Sequence, residues 1–421
     1  MPLALSQRLR DRLSLFTKPQ SPPNQDLRIP LELILHIFDL ASTSCEAEPI
    51  RDRVHSRFAA VNRTFARLYG RRKYQTVGMA DGTQVPELVE RLKRGPSADA
   101  DWLEGVEIED LGVYYSRRRL EQQWPKLRKA CKNLVFVQLG SYDHPPQGHD
   151  GFNGYALAAM TGITTLRLIG IQVHNTLPNS SILSFKKRTY APMIPAGLRH
   201  LVLDHVQLRY ADYADYTTAS LWRTNPAECQ LTSLYFTGLK LTGFNLDQDN
   251  AIPLIRKLLS STAPSLKALH FSRPLDVLRE STTPPVFDWQ LAFPALRILS
   301  ISLYHFNLAL VNGAPGIEHL SFTFCDLLGM YDTDRRMQAI ASASSLVQDA
   351  LGSGSGLQRL RALELPVQME KEDRDRERAA WAGLEQFARE KGVAVEFVEH
   401  DDLYMETHFR LLVREKLMEK M

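Results

Sequence analysis

Leu296-Arg297-Ile298-Leu299-Ser300-Ile301 and Ile317-Glu318-His319-Leu320-Ser321-Phe322 share one spacing: an apolar residue, two variable positions, an apolar residue, one variable position, an apolar residue. The second and third apolar positions alternate with period two. That is the pattern of a strand with one face buried, and the residue between them points the other way. Working outward, the same spacing starts at Leu103, Leu134, Ile163, Leu198, Leu231 and Leu266, and again at Leu360. Several instances carry further apolar residues three and five places on, such as Ile171 and Val173, Val206 and Leu208, and Leu239 and Leu241. Nine instances in series make one repeated unit, and each unit needs its neighbours to bury its apolar face.

The sequence between strands predicts returning helices. Ile252 to Ser260 carries Leu254, Ile255, Leu258 and Leu259 at helical spacing. Pro264, Pro294 and Pro315 each stand two residues before a strand's first apolar position, where proline ends a helix and extends the chain. Strand-to-strand spacings run from 21 (296 to 317) to 43 (317 to 360), and the long ones are read as surface insertions. These are Pro178 to Pro195, Arg209 to Trp222 with Tyr210, Tyr213 and Tyr216, and Tyr331 to Gly356. Met369 to Gln386 reads as a charged helix with Trp381, Leu384 and Phe387 spaced for one buried face, its run Glu370 to Arg378 forming a solvated face. Val393 to Phe397 is expected to be the last strand, and 399–421 a polar C-terminal helix.

The unit resembles a leucine-rich repeat, whose L-x-x-L-x-L-x-x-(N/C)-x-L signature marks a strand and the turn after it. The resemblance implies an α/β solenoid over 78–398: a horseshoe with a parallel sheet inside and helices outside. Its inner face would present two columns. One runs Glu107, Gln138, Arg167, Val202, Tyr235, His270, Ser300, Ser321; the other contains His200, Ser233, Ala268, Ile298 and His319. Aromatic and polar side chains on a rigid face are common anchors for a protein partner, so His200, Tyr235 and His270 are the expected target-binding residues. The tyrosines of the second insertion join them.

Before the array lies a second kind of segment. Residues 1–26 combine an arginine-rich amphipathic start with Pro19, Pro22 and Pro23, which reads as a flexible segment and linker. Residues 27–77 then form a helical module: Pro30 and Glu32 suit a first helical turn, and Phe58, Val61, Phe65 and Leu68 make a second amphipathic stripe. Ile29-Pro30-Leu31-Glu32-Leu33, then Ile37-Phe38, then Val61-Asn62-Arg63-Thr64-Phe65 resembles an F-box, with Phe65 at the family's tryptophan position. F-box modules dock on a Skp-type adaptor and join a cullin-RING ubiquitin ligase. Carried over by position, Pro30, Leu33, Ile37, Val61 and Phe65 would face the adaptor or form the module's core.

Composition narrows the function. The chain has 421 residues, 44% hydrophobic and 24% charged, and a net charge of +3 from 51 basic and 48 acidic residues. That balance is too even for an electrostatic nucleic-acid binder. No apolar run approaches the roughly 20 residues of a membrane span. Four scattered cysteines fit a reducing compartment, expected to be cytoplasmic or nuclear, with mitochondrial targeting as the alternative raised by the basic N-terminus.

No phosphate loop, dinucleotide fingerprint, zinc-protease helix or nucleophile elbow occurs. His144, His149 and Asp150, like His400, Asp401, Asp402 and His408, supply too little for a closed metal site, so no metal or cofactor is expected. Ser300 and His270 can pair across neighbouring strands, but no acid aligns to orient the histidine, and no enzyme is expected. The two resemblances together imply a substrate receptor of a Skp–cullin–F-box ligase, holding a target protein whose identity the sequence does not disclose. The alternative is a non-catalytic repeat scaffold or inhibitor, with 27–77 as its N-terminal cap.

Overall fold

The structure is a computed structural model. It describes residues 76–94, 103–110, 114–140, 152–153, 157, 160–174, 195, 197–209, 231–238, 240–242, 255–256, 258–272, 289–324, 333–353, 356–368, 370–399 and 405–413. All belong to one unit, Gly70–Met421. Pro30, Leu33, Ile37, Val61 and Phe65, and the insertion tyrosines Tyr210, Tyr213 and Tyr216, lie outside the described residues.

In chain order the strands are β1 (Thr76–Asp81), β2 (Gly105–Asp110), β3 (Phe136–Leu139), β4 (Phe152–Asn153), β5 (Thr165–Ile169), β6 (Gln172–His174), β7 (His200–Asp204) and β8 (Gln207–Arg209). They continue as β9 (Ser233–Thr237), β10 (Lys240–Thr242), β11 (Ala268–Phe271), β12 (Ile298–Ser302), β13 (His319–Thr323), β14 (Ala362–Val367) and β15 (Ala394–Glu399). The helices are α1 (Val85–Arg94), α2 (Tyr114–Ala130), α3 (Leu308–Gly313), α4 (Thr333–Gly352), α5 (Lys371–Glu390) and α6 (Met405–Val413).

Eleven strands make one sheet in the order β1-β2-β3-β5-β7-β9-β11-β12-β13-β14-β15, and each recorded pairing is parallel. The strands follow their order in the chain, which is what stacking a repeated unit on its predecessor produces. The fold is α/β, a long parallel sheet with helices. β1 begins at Thr76, so its first two residues fall within the stretch that the sequence reading gives to the helical module.

Every strand reached through the repeat spacing keeps its outward apolar pair in the core. Leu299 and Ile301, Leu320 and Phe322, and Leu363 and Leu365 are all buried, in a cluster that runs from Met79 to Val393. Residues 258–262 are helical, and Leu258 and Leu259 face the core.

β4, β6, β8 and β10 form a second, four-stranded parallel sheet. It is the structural meaning of the apolar residues three and five places beyond the repeat: Val173 on β6, Leu208 on β8 and Leu241 on β10 align across it. The chain turns from one sheet into the other at Gly170, His205 and Gly238, whose φ values are 57°, 51° and 61°. This left-handed conformation costs a non-glycine residue about 1–2 kcal/mol. His205 bears it with its ring Nδ1 2.5 Å from the buried Asp204 carboxylate. Its ring also fills the space where a Cβ on Gly238 would stand.

Two expectations fail around β13 and β14. Tyr331 to Gly356 is not an insertion loop: most of it is α4, a 20-residue helix that buries Ile340, Ala343, Val347 and Ala350. The run Glu370 to Arg378 is not wholly solvated either, because Glu377 on α5 is fully buried. Arg336 on α4 approaches it, with Nε 3.2 Å from Glu377 Oε1, and donates to Asp373 at 2.9 Å. Glu377 Oε2 accepts the backbone N–H of Gln368 at 2.7 Å. A buried carboxylate with such partners pins α5 to α4 and to the end of β14.

Candidate functional site

The strand register sets out the inner face. The residue between the two core-facing apolar positions runs in register through Glu107, Gln138, Arg167, Val202, Tyr235, His270, Ser300, Ser321, Glu364 and Glu396. Two residues earlier, Thr165, His200, Ser233, Ala268, Ile298 and His319 stand side by side. Both columns are those the sequence predicts, and the first continues beyond Ser321 onto Glu364.

The middle of this face is not wet. Tyr235 and His270 are 2% and 1% exposed, and β9, β12 and β13 are buried along their whole length. The sequence reading leaves these side chains open to a target; in the structure α6 lies against them. Phe409 of α6 sits 5.7 Å, centroid to centroid, from both Tyr235 and His270, and those two rings stack at 4.1 Å. Val202, Ala268, Ile298 and Val413 complete this apolar cluster. His200, in the neighbouring column, is half-buried, and burial pulls its pKa down with help from Arg199. The C-terminal helix is therefore amphipathic where the sequence reading has it polar: Glu406, Phe409, Leu412 and Val413 are buried.

Polar contacts fix α6 on either side of Phe409. On β5, Arg167 donates to Glu406 Oε2 at 2.5 Å and to Gln138 Oε1. Both partners of the ion pair are nearly closed to solvent, at 8% and 3% side-chain exposure. On β14, Glu364 has one oxygen 2.9 Å from His319 Nε2 and accepts His408 Nε2 at 2.9 Å on the other. Burial alone would raise the Glu364 pKa, but the hydrogen bonds and charges of His319 and His408 together outweigh it and hold the carboxyl well below the usual carboxylate range.

An α-helix turns about 100° per residue, so Phe409 stands roughly 300° and His408 roughly 200° around the axis from Glu406. Glu406 meets β5, Phe409 meets β9 and β11, and His408 meets β14. Successive strands thus contact successive sectors of one helix. Helix α6 meets this face of the sheet through at least three of its sectors.

The serine–histidine pair weighed from sequence is present. Ser300 Oγ lies 2.8 Å from His270 Nδ1, and the other ring nitrogen lies 3.0 Å from Ser272 Oγ, which donates to Thr237 Oγ1 at 3.1 Å. A hydroxyl therefore occupies the place a triad gives to a carboxylate, and a hydroxyl cannot stabilise an imidazolium as an acid does. These bonds position the His270 ring under Phe409. Burial pushes the Cys131 thiol up to about 11, which disfavours the thiolate at neutral pH. Among the described residues no cluster of three or more metal-ligating side chains occurs, and no helix is long and apolar enough to cross a membrane.

Arg167, Glu364, Glu406, His408 and Phe409 were not singled out by the sequence as binding residues. Arg167 stood in the predicted column. Glu364 was within reach, since the triplet Leu360, Leu363, Leu365 places it there. No family model matches the chain, and no curated protein matches it.

Proposed function

We propose that this protein is a non-catalytic recognition subunit: a leucine-rich-repeat solenoid whose concave face holds a target protein, carried on an F-box module at 27–77 that docks on a Skp-type adaptor of a cullin-RING ubiquitin ligase. The observation that carries the reading is the unbroken in-register column from Glu107 to Glu364. A rigid sheet of graded polarity, already wrapped around a helix, has the character of a peptide-binding groove. The order of parts in the chain, F-box-like residues first and repeats after, adds to it. In this reading the ligase chemistry belongs to other subunits, and this chain supplies placement.

The test is co-expression of the full chain with a Skp-type adaptor. A stable complex is expected, lost on Val61→Asp and Phe65→Asp while the sheet remains folded by circular dichroism. An adaptor that fails to co-purify with the folded chain refutes the F-box half of the reading.

A further inference from the structure

We propose that the groove is a receptor for an amphipathic helix of a partner protein, one carrying an acid, an aromatic residue three positions on and an aliphatic residue seven positions on. In this proposal α6 is a tethered occupant that such a helix displaces. It rests on the reading of the concave face as the binding face, and on nothing concerning the adaptor.

The chemistry of the seat specifies the occupant. Arg167 is a buried cation in the middle of the sheet, facing the groove, and it needs an anion from whatever lies there. The stacked pair Tyr235 and His270 offers a flat aromatic floor, tilted against the ring of Phe409. Val202, Ala268 and Ile298 line the remaining apolar wall. Glu406, Phe409 and Val413 answer these three features at positions i, i+3 and i+7, one face of a helix.

The fit of α6 is incomplete, and that makes it displaceable. Arg167 engages Glu406 through Nη2 alone; its Nη1 goes to Gln138, and its buried Nε has no partner among the described residues. Glu406 turns its other oxygen towards Arg410, one turn on, whose Nε lies 2.8 Å from Oε1 in an ion pair that is not aligned as a hydrogen bond. A helix with the same face but no base four residues after its acid can present both carboxylate oxygens to Nε and Nη2. That is the stronger, bidentate geometry of an arginine–carboxylate pair. The preferred ligand therefore has the pattern acid-x-x-aromatic-x-x-x-aliphatic with a neutral residue at i+4.

The probe is a fluorescent synthetic peptide copying residues 402–416 with Arg410→Ala, helix-stapled on its solvent side. It is titrated by anisotropy against the full chain, the full chain with Phe409→Ala, and the full chain with both Phe409→Ala and Arg167→Ala. All three are checked for an intact sheet by hydrogen exchange at β9 and β12. The proposal expects at least tenfold tighter binding to the Phe409→Ala chain than to wild type. It also expects at least a tenfold loss when Arg167→Ala is added, and weaker binding of a control peptide that keeps Arg410. Absence of binding to the Phe409→Ala chain, equal binding to wild type and Phe409→Ala, or indifference to Arg167→Ala overturns it. So does a wild-type chain that sediments as a dimer and becomes monomeric on Phe409→Ala, since the groove would then serve a second copy of this chain. Adaptor capture is read separately, so failure of the peptide and failure of the F-box reading are distinguishable.

Discussion

Replacing Glu406 by glutamine isolates the ion pair that seats the C-terminal helix. If α6 stayed in place, the Arg167 guanidinium would keep its burial and face only neutral amide oxygens, that of Gln138 and the substituted one at 406, with its charge uncompensated. Breaking one half of a buried pair in this way costs about 3–5 kcal/mol. The helix has an alternative: it can leave the groove, letting water reach Arg167, and the loss then stops at the free energy with which α6 was docked. Either way the helix opens. Read as amide hydrogen exchange over 407–413, the expected loss of protection is roughly 150- to 5,000-fold, or complete if docking is weaker than that. Amides of β9 and β12 keep their protection, because their ladders do not involve α6. The double change Arg167→Met with Glu406→Met should restore much of the loss, since an apolar pair of similar size often replaces a buried ion pair at little cost. Protection over 407–413 that falls less than threefold in Glu406→Gln would show that the pair does not hold the helix.

Further expectations concern the core. Burial of His305 lowers its pKa from 6.5 to about 4. The neutral ring is thus favoured in the folded state, and its contribution is full above pH 6.5 and is lost as pH falls towards 4, by about 3 kcal/mol in all. His305→Leu should flatten that part of the urea-denaturation profile, and should stabilise at pH 7, because both ring nitrogens are buried without partners among the described residues; an unchanged acid slope would count against it. Arg336→Met removes the cation facing the buried Glu377 carboxylate and should destabilise by about 3–5 kcal/mol, seen as a lower urea midpoint. Gly140→Ala sets a Cβ 2.0 Å from the Ile169 carbonyl oxygen at a φ of 88°. It should cost more than about 2 kcal/mol, so a melting temperature within a degree of wild type would refute the register there.

The sheet was legible because its signal is local: each strand carries its own three apolar residues, and the column Glu107 to Ser321 follows by counting. The occupant of the groove was not, because its contacts join positions remote in the chain. Arg167 and Glu406 stand 239 residues apart, and nothing in either neighbourhood names the other. α4 escaped for a different reason. Its inward face is Arg336, Ile340, Ala343, Val347 and Ala350, with only two branched aliphatics beside two alanines and a buried arginine, which gives little apolar contrast beside the glycine-rich run that follows. The burial of Glu377 has the same origin, since a carboxylate in a charged run looks solvated until the partner helix is in view. The second sheet was half legible, as apolar positions without an assigned structure.

The proposed function makes 27–77 and the sheet two recognition devices in one chain. Calorimetric titration of the purified full chain with a purified Skp-type adaptor tests it. A dissociation constant below about 1 μM is expected. Phe65→Asp should weaken it at least tenfold, and Glu406→Gln should leave it unchanged. An intact chain that shows no heat of binding at about 10 μM adaptor, or binding that Phe65→Asp does not alter, contradicts the claim.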